Sequence, residues 1–560
     1  MLGSFASQLL IHIKGNTEFS DDQIQANGSL ITSGINSSSS GSGNAGSVNM
    51  ETGSLTLKNG ASINATVYDS GQGGNINIKA TDNIEFSGNG VIGQASSIQA
   101  NTRSKETNAG SGGTINLEAG NIHLNDGALI GSSAIGAGKG GIIAMQANNI
   151  TLTGTDKRGR NSGISSLAYS SGDGGTITLN AKQLNILNGT TIGADSRSSG
   201  QGGNIIINSK GTVKLEGLDN SKYGSLISAN TQGRAANAGN GGTIEVSAKT
   251  IKLTDGAQIG TSTFGPGNGG TVKVDAERVI FSGTDQTDNA YQSGIFTGSS
   301  TVGDAGIIIL KANNLTLDTK ALVTAKTYGT GKGGNIIIHS DNLRLTGNSL
   351  ITARSDGSGD AGKVQLTLGN MSIINSELET SALNADGGDL SINSSGYVYL
   401  SNSKISTSVS EEFGGGGNIT ANPEFIVLNS ATIFAKAKKG NGGNINVTTT
   451  GIYNFDMTPI SEVINASSEF GLDGKILINT PDSITEGNLF ALSTSFFDSS
   501  NMMNTPCNQI VAENSISFIN VLSEGVSNEP EDLLSSGIIL TDILPVRATV
   551  FNKNLPIISW

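Results

Sequence analysis

A Gly-Gly-(Asn/Thr)-Ile type of turn recurs through this chain, and its interval is too short for a domain and too regular for a linker. The second glycine of the turn falls at positions 46, 74, 113, 141, 175, 203, 242, 270, 306, 334, 362, 388, 417, 443 and 474. The successive separations are 28, 39, 28, 34, 28, 39, 28, 36, 28, 28, 26, 29, 26 and 31 residues, a solenoid period. Two residues after each of these glycines stands a large aliphatic, from Val48, Ile76 and Ile115 to Ile419, Ile445 and Ile476. Four residues after it stands a second apolar residue, Met50, Ile78 and Leu117 among them, with a mostly polar residue between. This alternation describes strands with one buried face.

Each unit holds two further strand-like pieces. The unit opened by Gly113 reads Thr114-Ile-Asn-Leu-Glu-Ala119, then Asn121-Ile-His-Leu124, then Ala128-Leu-Ile130. Three strands and three corners make one coil, and stacked coils pair each strand with its equivalent at roughly 4.8 Å. Every connection between parallel strands is then a crossover, for which the right hand is favoured. Asn59-Gly60, Asp126-Gly127, Asn188-Gly189 and Asp255-Gly256 suit corners that need positive φ. The expectation is an all-β chain: a right-handed parallel β-helix with three strands per coil and about fifteen coils over residues 41–480, closed by a C-terminal cap.

Residues 1–40 read as an N-terminal remnant or first partial coils, and 481–560 as cap and tail. After Pro481 the glycine turns stop and Phe490, Phe496, Phe497, Phe518, Phe551 and Trp560 gather, as a cap over open strand edges requires. The Glu529-Pro-Glu-Asp532 run also permits a disordered tail beyond about residue 525.

With 4% aromatic residues, the core must come from Ile, Val, Leu and Ala. A net charge of -13 argues against nucleic acid or an anionic membrane as partner, since phosphate binding needs clustered Lys and Arg. Cys507 is the single cysteine and reads as a small buried apolar residue; His12, His123 and His339 are scattered without metal-ligand spacing. Glycine pairs without a following helix do not make a phosphate loop, and the calcium-binding Gly-Gly-x-Gly-x-Asp nonapeptide does not occur. No catalytic residue, cofactor or metal is assigned. The apolar stretch Ser4 to Ile13 lacks a basic flank and is too short for a signal peptide or a membrane span.

Four of the longer coils carry excess residues between the second and third strands, starting at Phe86-Ser-Gly88, Leu152-Thr-Gly154, Leu215-Glu-Gly217 and Phe281-Ser-Gly283. They end at Gly90-Val-Ile92 or later, Gly163-Ile164, Gly224-Ser-Leu226 and Gly294-Ile295. With a short coil between neighbours, these loops should form a fringe on one edge, spaced by about 10 Å. Lys157, Arg158 and Arg160 in one loop, Lys222 and Tyr223 in the next and Tyr291 in the last are the candidate contact residues. Long loops on a rigid repeat often carry binding; solvated loops shielding a corner are the plainer alternative.

Coils of the form Gly-Gly-Asn-Ile-x-Ile with Ile-x-Leu-x-Asn-Gly-Ala-x-Ile resemble the filamentous-haemagglutinin-like exoproteins of two-partner secretion, especially the cyanobacterial group. The stretch from Ser467 to Asp482, followed by Leu489 to Leu492 and Cys507, is similar to the end of the repeat body in that family. The resemblance implies export through an outer-membrane transporter barrel. It further implies folding outside a Gram-negative-type cell, and adhesion or aggregation there, with glycans or other cells as partners. The family's N-terminal secretion domain has no counterpart before Gly46, so the resemblance implies the C-terminal repeat portion of a longer exoprotein, as a fragment or a truncated reading frame. The family's Gly-Arg-Gly-Gly segment after the cysteine is replaced by Ser515-Ile-Ser-Phe-Ile519 and an acidic run.

Parallel β-helices also serve as polysaccharide lyases and hydrolases, so a carbohydrate-active enzyme is the rival class. Against it, the acids Asp173, Asp304, Asp360 and Asp386 lie singly before glycine turns rather than in pairs. A surface layer or filament without specific ligand is the third class.

Overall fold

The computed structural model describes residues 8–12, 15–20, 25–26, 29–30, 33–90, 93–283, 292–409, 414–456, 458–481 and 485–486. The chain divides into a unit Met1–Leu489, which holds every described coil, and a unit Phe490–Trp560. The second unit, with Cys507 and the expected cap, lies outside the described residues, as does Tyr291.

Each glycine turn opens a coil whose strands pair in parallel with the same strands of the coils on either side. Along the first strand the inward column runs Val48, Ile76, Ile115, Ile143, Ile177, Ile205, Ile244 and Val272, each opposite the next in register. Along the third strand the column is Ile35, Ile63, Ile98, Ile130, Ile164, Ile192, Ile227 and Ile259. Almost all of these side chains are fully buried and belong to one continuous core. Burial of each is worth roughly 1.5–3 kcal/mol, which is what holds a stack with so few aromatic residues. Among the described residues the only helix is the single turn Ile460–Val463.

Two features depart from the simple three-strand coil. From Ile142 to Ile374 the first two strands of a coil run on as one bent strand, as in Ile142–Leu152 and Thr176–Leu187. Their inward positions change phase at the bend, so one continuous strand still lines two walls of the core. A coil also precedes the first glycine turn, with Gln8–His12, Thr17–Ser20 and Gly34–Asn36 pairing onto Ser47–Thr52, Leu55–Lys58 and Ser62–Asn64.

The glycines act in two ways. At the Asn-Gly and Asp-Gly corners both residues are left-handed, with φ of 54° and 89° at Asn59-Gly60 and 57° and 76° at Asn188-Gly189. At the Gly-Gly turns the reason is contact. A Cβ on Gly74 would meet the carbonyl oxygen of Gly46 at 2.0 Å, and one on Gly242 the carbonyl oxygen of Gly203 at 2.0 Å. The backbones of successive coils touch there, and only a residue without a side chain fits.

Candidate attachment surface

The corner between the second and third strands is built around a buried hydroxyl. Ser162 accepts the N–H of Gly127 on the preceding coil at 3.0 Å and donates to its own Thr153 carbonyl at 2.8 Å. Ser225 does the same for Gly189 at 3.1 Å, Ser96 for Gly60 at 3.0 Å and Ser293 for Gly256 at 2.9 Å. A plain corner therefore loses no hydrogen bond beneath an inserted loop, because a buried N–H without a partner would cost about 1–3 kcal/mol.

On this base the inserted residues form short hairpins, closed by the antiparallel bridges Asn89 to Ala95, Thr155 to Asn161 and Leu218 to Gly224. The turns of the second and third share one construction. Asp156 Oδ1 accepts the N–H groups of Arg158 and Arg160, each at 2.8 Å; Asp219 Oδ1 accepts those of Ser221 at 2.8 Å and Tyr223 at 2.9 Å. Gly159 and Lys222 take the same left-handed place, with φ of 76° and 69°. The sequence signature is Gly-x-Asp, at Gly154-Thr-Asp156 and Gly217-Leu-Asp219. It occurs again at Gly283-Thr-Asp285, where Asp285 is outside the described residues.

Across the intervening plain coil the hairpins hold one another. Asn89 donates to Asp156 Oδ2 at 2.6 Å and Asn161 to Asp219 Oδ2 at 2.9 Å, while Asn220 donates to Thr155 Oγ1 at 3.4 Å. The fringe is a continuous strip rather than separate fingers. Burial pushes the Asp156 carboxyl up, but the hydrogen bonds from Arg160, Asn89 and Arg158 outweigh it and hold it down at about 2. It is ionised at any physiological pH.

The candidate contact residues divide accordingly. Arg160 is spent on structure, with Nε 2.6 Å from Asp156 Oδ2 and its guanidinium donating to the Gly93 carbonyl. The Arg158 guanidinium lies against Gly93, filling the space a Cβ there would take. Lys157, Lys222 and Tyr223 are exposed, Tyr223 by 56%. Tyr291 lies outside the described residues. Asp156, Asp219 and the corner serines are the side chains that position the strip, and sequence spacing alone did not single them out.

The acids before the glycine turns also have a structural task. Asp173, Asp304 and Asp386 each accept a main-chain N–H of the following coil, from Gln201 at 3.0 Å, Lys332 at 2.8 Å and Gly415 at 2.8 Å. Asp173 also pairs with Lys139 at 2.8 Å and Asp360 with Lys332 at 3.0 Å. Among the described residues no group of three or more His, Cys, Asp and Glu side chains is placed to hold a metal ion. None of the described helices is long and apolar enough to cross a membrane.

The two longest coils carry a second insertion that the sequence reading did not separate. Residues 103–109 and 232–238 lie at the other edge, between the third strand and the glycine turn, beyond the bridges of Thr102 to Ala134 and of Thr231 to Thr263. No family model, no curated protein and no solved structure matches this chain.

Proposed function

We propose that this protein is an attachment or structural exoprotein of the cell surface, in which a β-helical stack presents a rigid strip of loops to a polyvalent partner such as a glycan coat or another cell. The observation that carries the reading is the locking of hairpins from alternate coils into one another. A loop that only shields a corner needs no bond to a loop two coils away. Such bonds fix the strip before any partner arrives, so less conformational entropy is lost on contact. Repetition along the stack then multiplies weak contacts into avidity.

The resemblance to two-partner-secretion exoproteins supports the same reading and adds an outer-membrane transporter as the export partner of a full-length form. The test is attachment. An exported full-length form should promote adhesion to cells or polysaccharide, and shortening 155–161 and 218–224 to plain corners should weaken adhesion while the strand spectrum is kept. Unchanged adhesion after trimming would reject the strip as the contact surface. Turnover of a glycan by the intact protein would favour an enzyme instead.

A further inference from the structure

At the edge between the third strand and the glycine turn, the residue just past the last strand bridge forms a column along the stack. Main-chain bonds from Tyr68 to Ser39, Arg103 to Val67, Ile135 to Thr102 and Tyr169 to Ala134 set its first members on successive coils. Those from Arg197 to Ala168, Gln232 to Ser196 and Phe264 to Thr231 continue it. Over these seven coils the column reads Tyr68, Arg103, Ile135, Tyr169, Arg197, Gln232, Phe264, with an aromatic ring every third coil, about 14 Å apart, and the same bonds carry it on to Ser300 and then to Tyr328, two coils past Phe264.

The rings are in the open: Tyr68 is 56% exposed, Tyr169 41% and Phe264 39%. Tyr68 and Tyr169 are each followed one coil later by an arginine stacked on the ring, with guanidinium-to-centroid distances of 5.9 Å for Arg103 on Tyr68 and 4.6 Å for Arg197 on Tyr169. Apolar rings that serve no core are costly to leave in water at a repeated position, and a guanidinium over one face holds the ring in place.

Charge gives the second observation. The chain is acidic overall, at -13, yet this edge gathers Arg103, Lys105, Arg197 and Arg234, all exposed. Lys105 and Arg234 come from the second insertions, which lengthen only the two coils whose column residues are Arg103 and Gln232. Exposed acids at the same edge are fewer: Asp173 is bound to Lys139, and Asp195 is buried. Asp69, which accepts the Ser70 N–H, and Glu106 remain. Beside the column the outer face of the third sheet carries Gln99 and Asn101 on one coil and Asn230 four coils further on, the Asn101 and Asn230 side-chain oxygens accepting the N–H groups of Ser133 and Ser262 on the next coils.

We infer that this edge binds an extended acidic polysaccharide lying along the stack, with sugar faces on Tyr68, Tyr169 and Phe264 and carboxylates at Arg103, Arg197, Lys105 and Arg234. A pyranose ring has an apolar C–H face that packs on an aromatic ring, and guanidinium groups match carboxylates in geometry as well as charge. A chain of several sugars spans the interval between rings, so one polymer reaches successive rings and gains from all of them. The inference rests on the attachment reading but assigns the polymer to the edge opposite the hairpin strip.

The experiment uses the full chain and two probes: polygalacturonate, and the same polymer with its carboxyls methyl-esterified. Polygalacturonate should bind, the esterified form at least about tenfold more weakly, and added salt should weaken the first and not the second. Replacing Tyr68, Tyr169 and Phe264 together by Ala, or Arg103, Arg197 and Arg234 together by Gln, should each weaken binding about tenfold or more, since stacking and charge pairing are lost at several points. These side chains are exposed, and an unchanged strand spectrum verifies folding of both variants. Equal binding by either variant, or of the two polymers, overturns the inference. The loop-trimmed protein separates the two readings: retained polygalacturonate binding places the polymer at this edge whatever the trimming does to adhesion. Binding lost on trimming but kept in the aromatic variant overturns it. An intact protein that attaches to cells but binds no polygalacturonate also overturns it, and leaves attachment standing.

Discussion

The coils before Gly306 and those after it share one core but finish their corners differently. In the first part the corner after the second strand alternates between a left-handed pair, such as Asp126-Gly127, and an inserted hairpin seated on it. In the second part Asn348, Asn375 and Asn402 stack directly, each a left-handed residue, with Asn348 donating its N–H to the Asn375 carbonyl and Asn375 to that of Ser401. The buried serine persists, as Ser349, Ser376 and Ser403 take over the task of Ser162 and Ser225. The second part thus shows that the stack closes without hairpins, which assigns the hairpins to the surface rather than to folding.

If that division is right, the ladder should be equally intolerant in both parts. Ile244→Asp and Leu366→Asp each place a charge among fully buried aliphatics and should unfold neighbouring coils, at a cost of several kcal/mol or more. Glu245→Asp, at an outward position that pairs with Lys273 at 2.8 Å, should be mild. Thermal unfolding followed by circular dichroism measures all three, and matching losses at Ile244 and Glu245 would refute the inward and outward assignment.

A somewhat smaller effect is expected at the glycine turns, again without distinction between the parts. A Cβ on Gly203 would lie 2.1 Å from the Gly175 carbonyl oxygen, and one on Gly388 1.7 Å from that of Gly362. Alanine at either should push two coils apart and cost a few kcal/mol, as overpacking does. At Gly159, on a hairpin tip, nothing lies within 4 Å of the added atom, and only its φ of 76° opposes alanine. A loss of about 1 kcal/mol is expected there. A Gly159 variant as damaged as the Gly203 one would mean that the hairpins are part of the folding core.

How much of this was legible beforehand follows from the range over which each signal acts. The aliphatic columns and the Asn-Gly corners are set by neighbours in sequence, within a strand or a turn, and so the coil, its period and its inward face were readable from the residues. The serines were not, because Ser162 serves Gly127, 35 residues away. Asp156 depends on Asn89, 67 residues away across another coil, so Gly-x-Asp carried no meaning until the register was known. Arg160 looked like a free cation for the same reason. The Tyr and Arg column was hidden because coils of unequal length place its members at irregular separations. The merging of the first two strands reflects local backbone continuity at a bend, to which alternation patterns are blind.

The hairpin strip should respond to acid where the plain corners do not. Asp156 is held at about 2, below its ordinary 3.8, so the stabilisation from its ionised form is complete above the ordinary value and is lost as pH falls toward the lower one. Asp156→Asn keeps an acceptor for the N–H groups of Arg158 and Arg160 but breaks the pair with Arg160. A loss of about 1–3 kcal/mol near neutrality is expected, shrinking as both proteins are taken to low pH. Hydrogen exchange of the 155–161 backbone against that of 347–349 is the sharper readout. Equal acid sensitivity in the two segments would erase the difference on which the division rests.

The smallest effect should have the opposite sign. Asp195 lies on the outer face of the third sheet yet is buried, and burial pushes its carboxyl up while the N–H of Asn230, the hydroxyl of Ser228 and the charge of Arg197 hold it back. A carboxyl raised in the fold costs stability above its folded value and costs nothing once it is protonated in both states, so this penalty fades as pH drops toward the ordinary 3.8. Asp195→Asn retains an oxygen to accept from Asn230, now 2.6 Å from Oδ1, and removes the buried charge. The variant should be as stable as the parent or slightly more so near neutrality, with the gain vanishing in acid. It also withdraws the anion closest in sequence to Arg197, so its affinity for polygalacturonate should rise modestly if that edge takes an acidic chain. A variant clearly less stable at neutral pH would show that the hydrogen bonds from Asn230 and Ser228 and the charge of Arg197 outweigh the cost of burial, and would tie that arginine to the fold rather than to a ligand.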